Sequence, residues 1–238
     1  MDAIIENFFN IEILRLSAGS LLRGLTHTVM LAFVFIPLGA LVGLVLAAIC
    51  AIFGGILRIA MFAWIDFFRS FPPLVLLIYI FYGAPILGYQ IGPYEAIAVA
   101  LTLNTSSYFA EILRAGIESV SHGQWHAARA TGMSWLQAFL VVILPQGVRT
   151  VLPDLVSNVV TNVQLTSLAS VVGVHELLHA AMLSQGTTYN VSPLIAAALI
   201  YLALLWPFVR LVSYLEGRLR RTSSPTSTRR RLHLLGGP

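Results

Sequence analysis

Five stretches of this chain are long and apolar enough to cross a lipid bilayer as helices, and they limit the chain to a membrane fold. A helix rises about 1.5 Å per residue, so about 20 apolar residues cross roughly 30 Å of hydrocarbon. Only 10% of the residues are charged, against about 25% in soluble domains, which leaves too few charges to cover a water-facing surface. The sequence therefore predicts an all-α membrane protein with about five transmembrane helices. The predicted spans are residues 28–52, 56–82, 94–113, 150–174 and 193–214.

Two features modify this simple picture. Pro72 and Pro73 interrupt the second span, because proline lacks a backbone N–H and its ring clashes with the preceding helical turn. The apolar stretch 135–144 is too short to cross the bilayer. It is expected to be buried against protein or to lie at the membrane interface.

The arginines predict the orientation of the spans, since basic residues near span ends accumulate on the cytoplasmic side. If the C-terminus is cytoplasmic, the outer N-terminal segment holds only Arg15 and Arg23, and Arg69 lies within a span. The inner segments then hold Arg58, Arg114, Arg129, Arg149, Arg210, Arg218, Arg220, Arg221, Arg229, Arg230 and Arg231. We therefore expect a periplasmic N-terminus and a cytoplasmic C-terminus.

The chain divides into residues 1–217, which contain every predicted span, and a tail at residues 218–238 that is rich in Arg, Ser and Thr. A tail of this composition cannot bury enough apolar surface to fold, so it is predicted to be disordered. The start of the chain is acidic, with Asp2, Glu6 and Glu12. A cleaved signal peptide would begin with a positive segment instead.

The chain contains no lysine, and this excludes one class of activity. A P-loop nucleotide hydrolase needs its Lys to reach the β- and γ-phosphates, and all 14 basic residues here are Arg. We therefore expect no ATP hydrolysis and no nucleotide cofactor in this chain, so any ATP-driven work must come from a partner subunit. The basic tail lacks interleaved aromatic side chains, so we expect it to contact lipid headgroups and not nucleic acid. Cys50 is the single cysteine, which excludes an internal disulfide.

The loop between the third and fourth spans, residues 111–137, is predicted to form two short helices joined by a sharp turn. Gly132 lies where a left-handed residue is needed to end the first helix. Ala127 and Ala128 would let another surface approach closely, so the loop is a candidate docking site. Ordinary packing beneath the spans is the alternative. The two helix starts each fit a capping box, at Ser121 with Gln124 and at Ser134 with Gln137.

One set of motifs covers this loop at a fixed spacing. It comprises Gly123, Gln124, His126, Ala127, Ala128, Gly132, Val142, Leu144 and Pro145. This pattern resembles the permease subunits of bacterial ATP-binding-cassette importers of the polar amino-acid family. Their signature reads Glu-Ala-Ala, three residues, Gly, nine residues, Ile, one residue, Leu-Pro. Arg69-Ser70-Phe71-Pro72 resembles the Arg-Gly-Thr-Pro of their second span, and the resemblance covers roughly residues 24–215.

Three positions depart from the family pattern. His126 stands in place of the signature Glu, and Val142 stands in place of Ile. The run 164–168, Gln-Leu-Thr-Ser-Leu, stands where the family commonly has Lys-Asp-Thr-Ser-Leu. His126 removes the signature Glu that could form an ion pair with the ATPase. The run 164–168 changes the charge pattern of the fourth span.

The resemblance implies the type I importer permease fold, with a cytoplasmic coupling-helix loop, in the bacterial inner membrane. It implies that two permease subunits, identical or paralogous, form the pathway, and that two ATPase subunits grip the Gly132 turn. It also implies that a periplasmic binding protein delivers a polar amino acid. ATP-driven closure of the ATPases would then switch the pathway between inward- and outward-facing states. The implied coupling residues are Gly123, Gln124, His126, Ala127, Ala128, Gly132, Leu144 and Pro145.

Polar side chains inside the spans are candidates for the transport pathway, because a charge near the bilayer centre costs about 2.5–3.5 kcal/mol. Asp66 and Arg69 are three residues apart on one helix face, so we expect them either to pair or to line the pathway. Asn104 begins a polar patch that continues through residues 105–107. Glu95 lies near the outer mouth of the third span, either to meet a substrate ammonium or as a solvated carboxylate at a helix start.

The fourth span carries the longest polar stripe. At about 100° per residue its polar side chains fall within a sector of roughly 140°. Lipid would not tolerate such a stripe, so it is expected to face the pathway, a subunit interface or a neighbouring helix. Its members are Asp154, Ser157, Asn158, Thr161 and Asn162, with Gln164 just outside the sector and Thr166 and Ser167 beyond it.

Two alternative functions remain open at this point. A secondary transporter would move its solute without any ATPase. The run from His175 through Glu176 to His179 fits the H-E-x-x-H helix of zinc metalloproteases. That chemistry needs a third ligand and Glu176 as general base. No third ligand follows on the same side of the membrane, so the protease is the less favoured alternative.

Overall fold

The computed structural model describes residues 6–223, with side chains up to residue 219, and all structural statements below refer to that part of the chain. The part predicted to be disordered beyond residue 223 lies outside the described residues. The helices are α1 (Ile11–Ile52), α2 (Gly55–Ser70), α3 (Pro73–Ile86), α4 (Pro93–Glu118), α5 (His122–Ala130), α6 (Trp135–Ala138), α7 (Leu144–Thr150), α8 (Leu152–Leu165), α9 (Leu177–Thr188) and α10 (Ser192–Ser223).

The membrane spans agree with the prediction of about five. Among the described residues, four helical segments are long and apolar enough to cross, and α2 and α3 together supply a fifth that is bent by 97°. The bend lies at Pro72 and Pro73, where the sequence predicts an interruption. The four long segments are Glu6–Ile52, Pro93–Glu118, Leu152–Val172 and Ser192–Leu219.

Helices α1 and α4 form the tightest pair in the bundle. A Cβ placed on Gly39 would lie 2.6 Å from the Thr105 Cγ2 atom, and one on Gly43 would lie 2.7 Å from the Ser106 carbonyl oxygen. Positions increase together along both helices, so α1 and α4 run parallel. The bent pair therefore returns the chain across the membrane between them.

Helix α1 begins well before the predicted start of the first span at residue 28. The Asn10 side chain accepts hydrogen bonds from the backbone N–H groups of Glu12 and Ile13, which caps the helix. With 42 residues, α1 is about 63 Å long, twice the thickness of the hydrocarbon. Its first half packs against α9 and the start of α10.

The contact among α1, α9 and α10 forms a small core of its own at the end of the bundle opposite α5. Leu21, Leu177, Ala181 and Ala197 are buried together there. The predicted outer loop 175–192 is therefore mostly helix α9. The Asn10 backbone N–H donates to the Ser192 hydroxyl, so α10 starts beside the start of α1 and runs in the same direction.

The loop between α4 and α8 contains the two predicted short helices, α5 and α6. Gly132 has φ +87°, the left-handed conformation predicted for it. The capping box at Ser134 and Gln137 is present, but Ser121 makes no side-chain capping bond to any described residue, so that prediction is wrong. Ser121 instead accepts through its backbone oxygen from the Gln124 N–H.

The short apolar stretch after α6 continues as a π-helix at Phe139–Ile143. Phe139 and Ile143 are buried against α4, whereas Leu140 and Val141 are exposed. The segment therefore packs one face on the protein and leaves the other open. The fourth span ends as a 3₁₀ helix, Thr166–Val172, with Gly173 in the left-handed conformation. Helix α10 extends through Ser223, into the segment predicted to be disordered.

Candidate functional site

The first part of the candidate site is the elbow, which we define as α5, the Gly132 turn and α6. The aromatic ring of Trp125 anchors α5 to the bundle, with its centroid 4.6 Å from that of Trp135 and 6.5 Å from that of Phe139. Ala128 is buried on the same side. Because these contacts are apolar and local, the elbow is fixed to the π-helix below the spans and not to the distal end of the molecule.

The predicted coupling residues divide between two faces of the elbow. Gly123, Gln124 and Ala127 are exposed, so they remain available to a partner. Ala128 is buried, so the prediction that both alanines form an open small-residue face is wrong for Ala128, while Ala127 is exposed. His126 is exposed but lines a cavity behind α5.

Leu144 and Pro145 have a structural role in the same region. Pro145 lies at the start of α7, where its missing N–H costs little. Pro145 is exposed, while Leu144 is half-buried against the cluster around Phe139. They mark the point at which the π-helix changes back to an α-helix.

A ladder of alternating charges runs along α4 above the elbow. Arg69 Nη1 lies 3.5 Å from a Glu111 carboxylate oxygen, and Arg114 donates to Glu111 at 2.7 Å and to Glu118 at 2.6 Å. Glu118 in turn lies 3.6 Å from Arg58 Nη2. The ladder joins α2 to α4 through opposite charges. Sequence reasoning missed it, although Glu111, Arg114 and Glu118 show i, i+3 and i+4 spacing.

The predicted pair of Asp66 and Arg69 is absent, since Asp66 forms no ion pair with any described residue. Asp66 is exposed. Arg69 instead contacts Glu111 and lies over the ring of Tyr108, 5.7 Å from its centroid. Packing of α2 on α4 provides a partner for Arg69 that helix periodicity alone does not reveal.

The second part of the candidate site is a polar network between α4 and α8. Thr105 donates to the Asn162 side-chain oxygen, and Asn162 Nδ2 donates to the Asn158 carbonyl and side-chain oxygens at 2.8 Å each. Asn104 donates to the Phe68 carbonyl oxygen at 3.0 Å, next to the bend between α2 and α3. The network ties three spans together at the place where the second span is broken.

The other candidates for the pathway are more peripheral. Gln164 is exposed, Ser167 is half-buried, and Thr166 is buried and donates to the Val163 carbonyl oxygen. Glu95 is exposed in the first turn of α4, with its carboxylate beside Gly92. That position favours a carboxylate at a helix start, the second of the two predicted roles.

The metalloprotease pattern does not form a zinc helix. His175 and Glu176 precede α9, and the Glu176 carboxylate caps that helix by accepting from the N–H groups of Leu178 and His179 at 2.8 and 2.7 Å. Tyr201 also donates its hydroxyl to Glu176 at 2.9 Å. Glu176 is fully buried, and burial raises the pKa of its carboxyl group. A carboxylate held by three donors is not free to act as a general base.

Comparison with known proteins gives a consistent result. Residues 36–221 match the family described as binding-protein-dependent transport system inner membrane component. The chain is 33% identical over 222 residues to the probable glutamine ABC transporter permease protein GlnM of Bacillus subtilis, covering 90% of this chain and 99% of that protein. It is 34% identical over 188 residues to the arginine transport system permease protein ArtQ of the same organism, covering 77% and 85%.

A solved structure is similar over most of the chain. The crystal structure of an amino acid ABC transporter with histidines superposes with a TM-score of 0.75 at 33% identity, covering 84% of this chain and 94% of that one.

Proposed function

The chain belongs to the family of binding-protein-dependent transport system inner membrane components, as a permease of the amino-acid ABC importer group, and from that premise we propose how it works. A separate ATPase subunit drives it, and it translocates a polar amino acid across the inner membrane. ATP and Mg²⁺ bind in that ATPase, and a periplasmic binding protein delivers the amino acid. Glutamine and arginine, named for two relatives, indicate the class of substrate.

The observation that carries this proposal is the exposed face of α5. Gly123, Gln124 and Ala127 present a surface of small and polar side chains next to the Gly132 turn. An exposed helix that is anchored only at its back can transmit the movement of a partner into the bundle. We propose this face, with Gly132, as the contact with the ATPase.

The open part of the α8 stripe supports the proposed pathway. Asp154 and Thr161 are exposed, and Ser157 and Asn158 are half-buried, although all lie on a membrane span. Polar side chains on a span face protein or a water-filled cavity. We propose that a second permease subunit covers this stripe and that the amino acid passes between the two subunits.

The proposed orientation places the elbow in the cytoplasm and the start of α1 in the periplasm. The arginine distribution supports it, because Arg58, Arg114 and Arg129 lie at the elbow end, whereas Arg15 and Arg23 lie at the other end. Cysteine labelling tests it directly. Gln124→Cys should react with a membrane-impermeant maleimide only in inverted vesicles, and Tyr189→Cys, which is 89% exposed on the far side, only in right-side-out vesicles. The reverse pattern would overturn the orientation.

The coupling role is tested at Gly132. Proline cannot adopt φ +87°, because its ring fixes φ near about −65°. Gly132→Pro should abolish ATP-dependent amino-acid uptake in proteoliposomes that contain the ATPase and the binding protein, with the permease still inserted. Gly132→Asn is the matched control, since Asn tolerates the left-handed conformation, and it should retain most uptake.

Two outcomes would contradict the proposal in different ways. Normal uptake by Gly132→Pro would remove the elbow from the coupling mechanism. Uptake by the permease alone, with no ATPase in the vesicle, would favour a secondary transporter instead.

A further inference from the structure

A cavity of about 500 Å³ lies behind the elbow, between α5 and the adjacent ends of α1, α2 and α4. Its volume falls in the range of small-molecule sites, about 300–1,000 Å³. The wall formed by α1 is small and apolar, with Ala47, Cys50 and Ala51. Apart from Ile117 and Val120, the remaining walls are polar and aromatic, so the cavity differs from an ordinary packing void.

Helix α5 turns a different face to this cavity from the one proposed to contact the ATPase. The cavity is lined by His122, Trp125, His126 and Arg129, at positions i, i+3, i+4 and i+7 of one helix face. Gly123, which is exposed, does not line it. A ligand and an ATPase could therefore engage α5 at the same time.

The charge of the cavity favours an anion. Arg58, Arg114 and Arg129 line it, against the single carboxylate of Glu118. Arg114 is already paired with Glu118 and with Glu111, which stands just outside the lining. His122 and His126 add two more groups that can donate to an anion.

Arg58 and Arg129 retain the donors that a ligand would use. Arg58 has a long ion pair, 3.6 Å from Glu118, and Arg129 donates from Nη1 to the Met133 carbonyl oxygen at 2.7 Å. A guanidinium carries five N–H donors in a planar fork that suits phosphate oxygens. The two side chains approach the cavity from α2 and from α5.

The surroundings of the cavity indicate lipid. Phe53, Ile56 and Ile59 are exposed near Arg58, at the end of α1 and the start of α2, and Ile56 is 83% exposed. Leu140 and Val141 are exposed on the π-helix that follows α6. Exposed apolar residues next to membrane spans are covered by hydrocarbon. The polar cavity near them then lies at headgroup level, where tryptophans such as Trp125 and Trp135 accumulate.

We propose that this cavity binds the phosphate-bearing headgroup of an anionic phospholipid, with Arg58 and Arg129 as its main ligands. The acyl chains lie against the exposed apolar residues of α2 and of the π-helix. The bound headgroup links α2 to the back of α5 and so connects the lipid composition of the leaflet to the elbow. This role goes beyond amino-acid transport and does not depend on which amino acid is carried.

Native mass spectrometry of the assembled transporter, permease with its ATPase, tests the proposal with phosphatidylglycerol as the probe. The wild-type complex should retain phosphatidylglycerol in preference to phosphatidylcholine. The double variant Arg58→Gln/Arg129→Gln should bind it at least about tenfold more weakly, since two charged hydrogen-bond donors are lost. Arg210→Gln is the matched control, because Arg210 lies over Trp206 on α10, away from the cavity, and it should bind normally.

Further measurements separate the remaining outcomes. Inorganic phosphate at millimolar concentration should not displace the lipid; displacement without any lipid preference would assign the site to a soluble anion and overturn the proposal. Phosphatidylglycerol with a photoactivatable headgroup should label wild-type peptides that contain Arg58 or lie within residues 118–135, which does not depend on the folding of a variant. Labelling elsewhere, or equal retention by the double variant, would also overturn it.

Discussion

The third and fourth spans are both rich in polar side chains, yet they use them in opposite ways. In the most apolar window of each span, 61% of the residues of the third are buried, compared with 28% in the fourth. On α4, Asn104 and the three hydroxyl residues that follow it are all fully buried. On α8, only Asn162 of the predicted stripe is buried, and Asp154 and Thr161 are exposed.

The difference lies in where the hydrogen bonds go. Ser106 and Ser107 donate to the Leu103 carbonyl oxygen of their own helix, and Asn104 donates to α2. The polar patch of α4 is therefore satisfied within the subunit and holds the bundle together. The polar side chains of the α8 stripe can still make further hydrogen bonds, because they lie on an open face. A polar residue in a membrane span thus indicates a pathway only when its own subunit leaves it uncovered.

The largest loss of stability is expected from a substitution in the contact between α1 and α4. Gly43→Leu would place a side chain 2.7 Å from the Ser106 carbonyl oxygen and 2.9 Å from the Ala110 nitrogen, and backbone atoms cannot move aside. We expect a loss of about 3 kcal/mol or more, measured as failure to recover monodisperse protein in detergent. Gly19→Leu is the control, since no described atom lies within 4 Å of its Cβ position. Equal loss in both variants would mean that close α1–α4 packing is not what buries the third span.

The second-largest loss of stability is expected at the hydrogen bond between Thr105 of α4 and Asn162 of α8. Asn162→Leu leaves the buried Thr105 hydroxyl without its acceptor, which should cost about 1–3 kcal/mol. The measurement is the thermal unfolding of the purified protein. Adding Thr105→Val removes the other partner and should recover part of the loss. If the double variant is less stable than the sum of the single variants predicts, the two side chains do not act as a pair.

The open stripe should separate transport from stability. Asn158 is half-buried on α8, so Asn158→Ala should cost under about 1 kcal/mol while changing the KM for uptake several-fold. Ser107→Ala on α4 is the matched change on the covered span, and it should leave KM unaltered. An unchanged KM for Asn158→Ala, in a correctly assembled transporter, would remove this residue from the pathway.

The smallest effect is expected at Ser157. Its carbonyl oxygen accepts from the Thr161 hydroxyl, and its half-buried side chain faces the open stripe. Ser157→Ala should therefore change stability by no more than about 0.5 kcal/mol. A larger destabilisation of the isolated permease would show that this face is packed within the subunit, and the distinction between the two spans would weaken.

The number of spans could be predicted from hydropathy because the length of an apolar helix has to match the bilayer. Gly132 and Ser134 were predictable as well, since a left-handed turn and a capping box depend on only a few adjacent residues. The start of α1 could not be predicted from hydropathy. Polar residues such as Arg15 and Arg23 lower the hydropathy before residue 28, but packing on α9 keeps that segment helical.

The misses have two physical causes: a partner distant in sequence, and a local backbone geometry that residue spacing alone does not reveal. Arg69 has Asp66 as its neighbour on the helix but Glu111 as its neighbour in space. Glu176 matches a catalytic motif in sequence, but α9 begins one residue later and uses the carboxylate as its cap. Ser121 fits a capping box by spacing, and its backbone oxygen makes the contact instead.

The length of α1 has a mechanical consequence. One end of this helix borders the cavity behind the elbow through Ala47 and Cys50, and the other packs on α9 through Leu21 and Gly24. A rod of about 63 Å acts as a lever. Gly39 and Gly43 clamp it to α4 about two thirds of the way along, so that contact is the natural fulcrum, and a tilt of one degree displaces the start of the helix, about 45 Å away, by about 0.8 Å. A force that moves α1 at one face of the membrane would then displace its end at the other face, without any change in helical structure between them.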